Sequence, residues 1–215
     1  MGREYKMRFA GSGGQGVITA SIIFADAAVA SGLNVVQTQR YGPEARGGAS
    51  RAEIMISREK IWFSQIEEAD LLLCMNQISF DKYSGLVKSS GLILVDSTVK
   101  DTAGVKNIVS FPMIKTAREL AGGEMSANIV ALGVVNRLTG LLRIELLREA
   151  LRRHLPEYAW ESSERALSLG FKLKKEPVLP AELPPARRGF TAGPEFADGG
   201  ELFLMEGWRR ICKKA

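Results

Sequence analysis

Two cysteines, Cys74 and Cys212, and one histidine, His154, are the only thiol and imidazole ligands in this 215-residue chain. Neither a cubane iron–sulfur cluster nor a common His/Cys zinc centre can be assembled from so few. A Ser-His-Asp arrangement would rest on His154 alone, and Cys74 lies in an apolar run where a thiol is a small hydrophobe rather than a nucleophile. The Gly-x-x-x-x-Gly-Lys-Ser/Thr loop is absent, which removes the commonest route to nucleotide hydrolysis. No apolar run approaches the roughly 20 residues of a membrane span, and the stretch Met1 to Lys6 has no signal-peptide core. A cytoplasmic protein without membrane contact is expected.

What remains is ordinary globular composition, 46% hydrophobic and 25% charged, with 29 basic against 24 acidic side chains giving +5. That excess favours anionic partners in general. The basic residues are dispersed among acids without interleaved aromatics, so nucleic acid is not an expected partner.

Strands are read at Tyr5 to Ala10, Leu33 to Gln39, Ser50 to Ile56, Leu71 to Met75, Leu92 to Val95 and Asn107 to Phe111. The alternation of Ser50 to Ile56, turning at Ser57 to Lys60 into Ile61-Trp62-Phe63, predicts a hairpin. The continuous apolar runs Leu71 to Met75 and Leu92 to Val95 predict strands buried on both faces of a parallel sheet. Helices are expected over Val17 to Ala30, Ile114 to Ala121, Ala127 to Thr139, Ile144 to His154 and Tyr158 to Leu173. The sum is an α/β body over residues 1–174, three layers deep (α/β/α), around a mixed and mostly parallel sheet. Five of the eight prolines (Pro177, Pro180, Pro184, Pro185, Pro194) fall in residues 175–215, which read as an extended arm. A terminal amphipathic helix follows, with Leu204, Trp208 and Ile211 on one stripe. That stripe docks either on this chain's own body or on another subunit.

Gly11, Ser12, Gly13, Gly14, Gln15 and Gly16 join a strand to a helix in the pattern that brings bare backbone N–H groups to a phosphate. The second strand ends Gln37-Thr38-Gln39-Arg40 without the carboxylate that bonds a ribose, so NAD is disfavoured. Arg40 leaves an NADP-binding Rossmann-type reductase open, or an extended coenzyme A; a loop that merely turns tightly is the structural alternative. A helix N-terminus supplies only about 0.3–2 kcal/mol to an anion, at best roughly thirtyfold in affinity, so further cations are required. They are available in the loop Arg40, Tyr41, Gly42, Pro43, Glu44, Ala45, Arg46, Gly47, Gly48, where Tyr41 can stack on a ring. Arg46 can pair with a phosphate or carboxylate, or simply with Glu44 or a neighbouring subunit's backbone. Asn76, Gln77, Asp96, Ser97 and Thr98 follow the apolar strands onto the same rim, where such residues also serve as caps.

The first glycine motif together with Tyr41-Gly42-Pro43-Glu44-Ala45-Arg46-Gly47-Gly48 and Ser126-Ala127-Asn128-Ile129-Val130-Ala131-Leu132-Gly133 resembles the gamma subunit of 2-oxoacid:ferredoxin oxidoreductases. The second motif is closer to the 2-oxoglutarate and branched-chain oxoacid type, with the related indolepyruvate oxidoreductase subunit as runner-up. The resemblance implies a component, noncatalytic by itself, of an enzyme that converts a 2-oxoacid and coenzyme A to acyl-CoA, carbon dioxide and reduced ferredoxin. It places thiamine diphosphate and the iron–sulfur clusters on thiamine-binding and ferredoxin-type partner subunits. It leaves to this chain a coenzyme A contact through the two glycine loops, Arg40, Tyr41, Pro43 and Arg46, an assembly role and a homodimer contact.

Overall fold

The computed structural model describes residues 4–40, 49–102 and 104–173. Tyr41 to Gly48, the arm and helix expected over 175–215, and Cys212 lie outside them, and Arg40 is described by its backbone alone. Six strands form one sheet: β1 (Tyr5–Ser12), β2 (Asn34–Arg40), β3 (Ala49–Ser57), β4 (Ala69–Cys74), β5 (Val87–Asp96) and β6 (Ile108–Phe111), in the order β2-β3-β1-β4-β5-β6. The pairs β1–β4, β4–β5 and β5–β6 are parallel; β3 is antiparallel to both β1 and β2. The sheet is therefore mixed, as its strand patterns predict.

The expected hairpin between Ser50–Ile56 and Ile61–Phe63 does not form. β3 spends one edge on β1 and the other on β2, so no ladder is left for residues 61–63. These run as irregular chain, with Trp62 70% and Phe63 78% exposed.

Leu71 and Leu73 enter the larger core with Met7, Phe9 and Ile54, whereas Leu72 and Cys74 enter a smaller one on the opposite face. A strand buried on both sides needs apolar residues at every position, hence its unbroken run. The larger core is roofed by α1 (Val17–Ala30), α3 (Met113–Leu120), α4 (Ala127–Thr139), α5 (Ile144–His154) and α6 (Trp160–Lys172). Among the described residues, only the seven-residue helix α2 (Gln77–Tyr83) lies over the smaller one, supplying Phe80 and Tyr83, so the three layers are unequal there. Pro156 and a 3₁₀ turn over Glu157–Ala159 delay α6 to Trp160. The apolar α1 is covered by the sheet on one side and by neighbouring helices of its own domain on the other.

Glycines set the α4–α6 crossing. A Cβ on Gly170 would run into the Val130 carbonyl of α4, and one on Gly133 would stand 2.8 Å from the Phe171 nitrogen of α6. Backbone cannot yield as a side-chain tip does. Gly170→Ala is accordingly expected to cost about 1–3 kcal/mol by overpacking, measured by urea denaturation; an unchanged midpoint would show that the helices slide apart freely.

Candidate functional site at the strand C-terminal rim

β1 delivers the glycine loop to the edge where β4, β5 and β6 also end. Gly14 (φ 89°) and Gly16 (φ 67°) take left-handed backbone that side chains resist, and Gly16 caps α1 without any side-chain bond. The loop is braced from within: Gln15 Oε1 accepts from the Ser12 N–H at 2.7 Å, and the Gln15 N–H donates to the Ser12 carbonyl at 3.2 Å. The Asn76 amide donates to Ser12 Oγ and, at 3.0 Å, to Gln15 Oε1. A Cβ on Gly11 would sit 2.7 Å from Gln15 Oε1 and 3.2 Å from Met75 Cβ, so a side chain there would displace the Gln15 brace.

With Ser12 and Gln15 N–H groups so occupied, those of Gly13, Gly14 and Gly16 find no acceptor among the described residues. They stand beside the opening turn of α1, which contains no acidic side chain. Unpartnered N–H groups at an uncompensated helix N-terminus are a ready anion site. The Gly16 carbonyl is fixed by Ala20 N–H at 3.0 Å and by the amide of Asn128, from the first turn of α4, also at 3.0 Å. Asn128 is buried, and its Oδ1 has no partner among the described residues. In the sequence Asn128 stands out only as part of the Ser126–Gly133 motif, because its bond to Gly16 spans 112 residues and has no local signature.

Arg40 ends β2 and Ala49, the register partner of Ser12, begins β3, so the chain leaves and re-enters the sheet at this rim. The residues between them, Arg46 included, lie outside the described ones. Other rim residues are caps. Asn76 Oδ1 accepts from Ser79 N–H at 2.8 Å to start α2; buried Asp96 accepts from Thr98 N–H at 2.9 Å and from Ile114 N–H at 2.8 Å. Gln77 accepts from the N–H groups of Lys100 and Asp101.

The sequence-level suspects for other chemistry are bound up elsewhere. Burial pushes the Cys74 thiol up to about 12, against a hydrogen bond from Ser79 that lowers it. Cys74 is therefore expected to resist iodoacetamide at pH 8 in the folded chain and to react only on unfolding. His154 and Arg153, at the end of α5, reach Asp26 of α1 at 3.0 and 2.9 Å. Burial raises the Asp26 carboxyl, but the His154 bond and the Arg153 guanidinium outweigh it and leave the group below its ordinary value. A depressed folded value stabilises above the unfolded one of about 3.9 and is lost as pH falls through the folded one. Asp26→Asn should thus destabilise at neutral pH by about 1.5–3 kcal/mol, the gap closing below about pH 4 in denaturation at stepped pH.

No group of three or more His, Cys, Asp or Glu side chains among the described residues is placed to hold a metal. No described helix is long and apolar enough to cross a membrane.

Residues 6–173 match the family model described as pyruvate ferredoxin/flavodoxin oxidoreductase. The chain is 37% identical to the 2-oxoglutarate synthase subunit KorC of Methanocaldococcus jannaschii, over 80% of this chain and 94% of that one. It is 31% identical to the ketoisovalerate oxidoreductase subunit VorA of Methanothermobacter marburgensis, over 80% of this chain but only 35% of that relative. Among solved structures, the gamma subunit of a keto/oxoacid ferredoxin oxidoreductase from Geobacter sulfurreducens superposes with a TM-score of 0.69 at 42% identity, covering 78% of this chain and 96% of that one. A 2-oxoglutarate:ferredoxin oxidoreductase from Magnetococcus marinus, solved with 2-oxoglutarate, coenzyme A and succinyl-CoA bound, shares the fold at TM-score 0.71 and 22% identity, over 86% of this chain and 34% of its own. An α/β body with this strand order, glycine loop and kinship belongs to the pyruvate ferredoxin/flavodoxin oxidoreductase family, as a gamma subunit of a 2-oxoacid:ferredoxin oxidoreductase.

Proposed function

We propose that this subunit contributes the glycine-loop rim to coenzyme A binding while its partner subunits carry out the decarboxylation of a 2-oxoacid of the 2-oxoglutarate or branched-chain type. The observation that carries this reading is the trio of N–H groups on Gly13, Gly14 and Gly16, beside the start of α1, that find no acceptor among the described residues. They suit the diphosphate of coenzyme A, with Gly11, Ser12 and Gln15 shaping the loop. Arg40, Tyr41, Gly42, Pro43, Arg46, Gly47 and Gly48 are assigned the remaining anionic and planar parts of the ligand. Within the chain, residues 1–174 are the working module and 175–215 an appended arm. The compartment is the cytoplasm.

Thiamine diphosphate and iron–sulfur clusters are assigned to partner subunits of thiamine-binding and ferredoxin type, and contact with a second copy of the chain is part of the same reading. The donor set here does not fit a cluster: of two cysteines in the sequence, Cys74 is locked protonated inside the sheet. In this reading the chain's contribution is to bind and position coenzyme A, chiefly through peptide nitrogens fixed in space.

The NADP-dependent reductase has less support. In a dinucleotide site the ribose-binding end of the second strand lies next to the first. Here β3 is inserted between β1 and β2, moving the Arg40 end two strand spacings, about 10 Å, from the glycine loop. Calorimetric titration separates the readings: coenzyme A should bind the native complex and NADPH should not. Tight NADPH binding by the purified chain would decide for the reductase.

A further inference from the structure

The face of the sheet that the described residues cover only with α2 contains a second organised region. Arg8 of β1 is 1% exposed and is held by buried Glu53 of β3, whose Oε1 accepts from Nε at 2.8 Å and lies 2.7 Å from Nη2. The same guanidinium donates to the Ile66 carbonyl at 2.8 Å and to the Leu86 carbonyl at 3.2 Å, and lies 5.7 Å from the centre of the Tyr83 ring. One buried cation thus ties together β3, the β3–β4 connection and the 3₁₀ turn Ser84–Leu86 that follows α2. Ile66, with Ile61 packed alongside, anchors the connection a second time against Met55 and Ala69.

That doubly anchored connection carries Trp62 and Phe63, 70% and 78% exposed, and the tied turn carries Leu86, 40% exposed. Lys60 Nζ stands 4.4 Å from the centre of the Trp62 ring. Adjacent aromatics presented on pinned backbone have already met much of the ordering cost of association, and each can bury about 150–250 Å².

Relatives of different length supply a candidate occupant. KorC of M. jannaschii consists almost entirely of this module, whereas VorA of M. marburgensis contains it as 35% of a longer chain. In the fused form the module and the remaining two-thirds are held together covalently; in the free form a noncovalent interface must take over that task. We infer that the face bearing Trp62, Phe63 and Leu86 docks a separate polypeptide equivalent to the remaining two-thirds of VorA, which supplies an apolar pocket for the aromatic pair and a carboxylate for Lys60. The inference rests on the subunit reading but not on the coenzyme A site.

The test uses the native complex, with Phe63 replaced by p-benzoylphenylalanine and irradiated. The expected product is a crosslink to the subunit whose sequence, established by mass spectrometry, aligns with the remainder of VorA. A crosslink to a second copy of this chain or to any other subunit, or none in an intact complex, would overturn it. So would a crosslink to that same subunit from position 158, where Tyr158 is 90% exposed among the helices, if position 63 gives none. Trp62→Ala with Phe63→Ala should leave the melting temperature unchanged and weaken the complex roughly a hundredfold. Unchanged affinity would remove this face while leaving the family membership and the coenzyme A reading untouched.

Discussion

Replacing Arg8 by alanine is expected to lower the unfolding free energy by about 3 kcal/mol, since it leaves the buried Glu53 carboxylate with only the longer contact to Arg51, 3.9 Å away. It also frees the Ile66 and Leu86 carbonyls, one of which accepts at 2.8 Å. Against a typical total of about 5–15 kcal/mol, that loss takes a third or more of the stability. The paired change Arg8→Met with Glu53→Leu should recover most of it, because it removes both buried charges and leaves only the partly exposed Arg51 without its longer contact. Guanidinium denaturation of the three proteins is the check. A single variant within about 1 kcal/mol of wild type would mean that water or Arg51 takes over the Glu53 carboxylate and that Arg8 is not what holds it.

The second large effect is on ligand binding. Gly16→Ala forces a side chain into left-handed backbone at φ 67°, a cost of about 1–2 kcal/mol, and directs its Cβ at the Asn128 amide. Relief of either strain turns the Gly14 and Gly16 N–H groups away from a bound phosphate. Two hydrogen bonds to a charged group, each worth about 1.5–3 kcal/mol, are then at stake, so coenzyme A affinity should fall more than about a hundredfold. Adding Asn128→Ala removes the collision but not the backbone strain, and should restore only part of the affinity. Calorimetry on the assembled complex measures both; an unchanged dissociation constant in a folded variant would detach the loop from the ligand.

The elements that local chemistry controls are the ones legible in the sequence. α4 ends where Gly140 can take a left-handed cap, and α5 ends on Arg152, Arg153 and His154, which suit its dipole, so both helices have the expected bounds. Helix α2 was missed because seven residues are too few to show a period, although Asn76 gave its cap. The role of β3 was misread because strand order is a long-range property: the alternation of Arg51, Glu53 and Met55 against Ala52, Ile54 and Ile56 describes two faces, not two neighbours. Arg8 looks like a solvated strand residue until Glu53, 45 positions away, is paired with it. At the site, the glycine loop was visible in sequence, while Asn128 closing over Gly16 was not.

The most direct test is hydrogen–deuterium exchange of the native complex with and without coenzyme A, read on peptides spanning residues 12–20. Bare N–H groups that grip the ligand should exchange more slowly at Gly13, Gly14 and Gly16 when coenzyme A is present and the effect should vanish in Gly16→Ala. Saturating coenzyme A that slows exchange elsewhere in the complex and leaves these three amides unchanged would contradict the account.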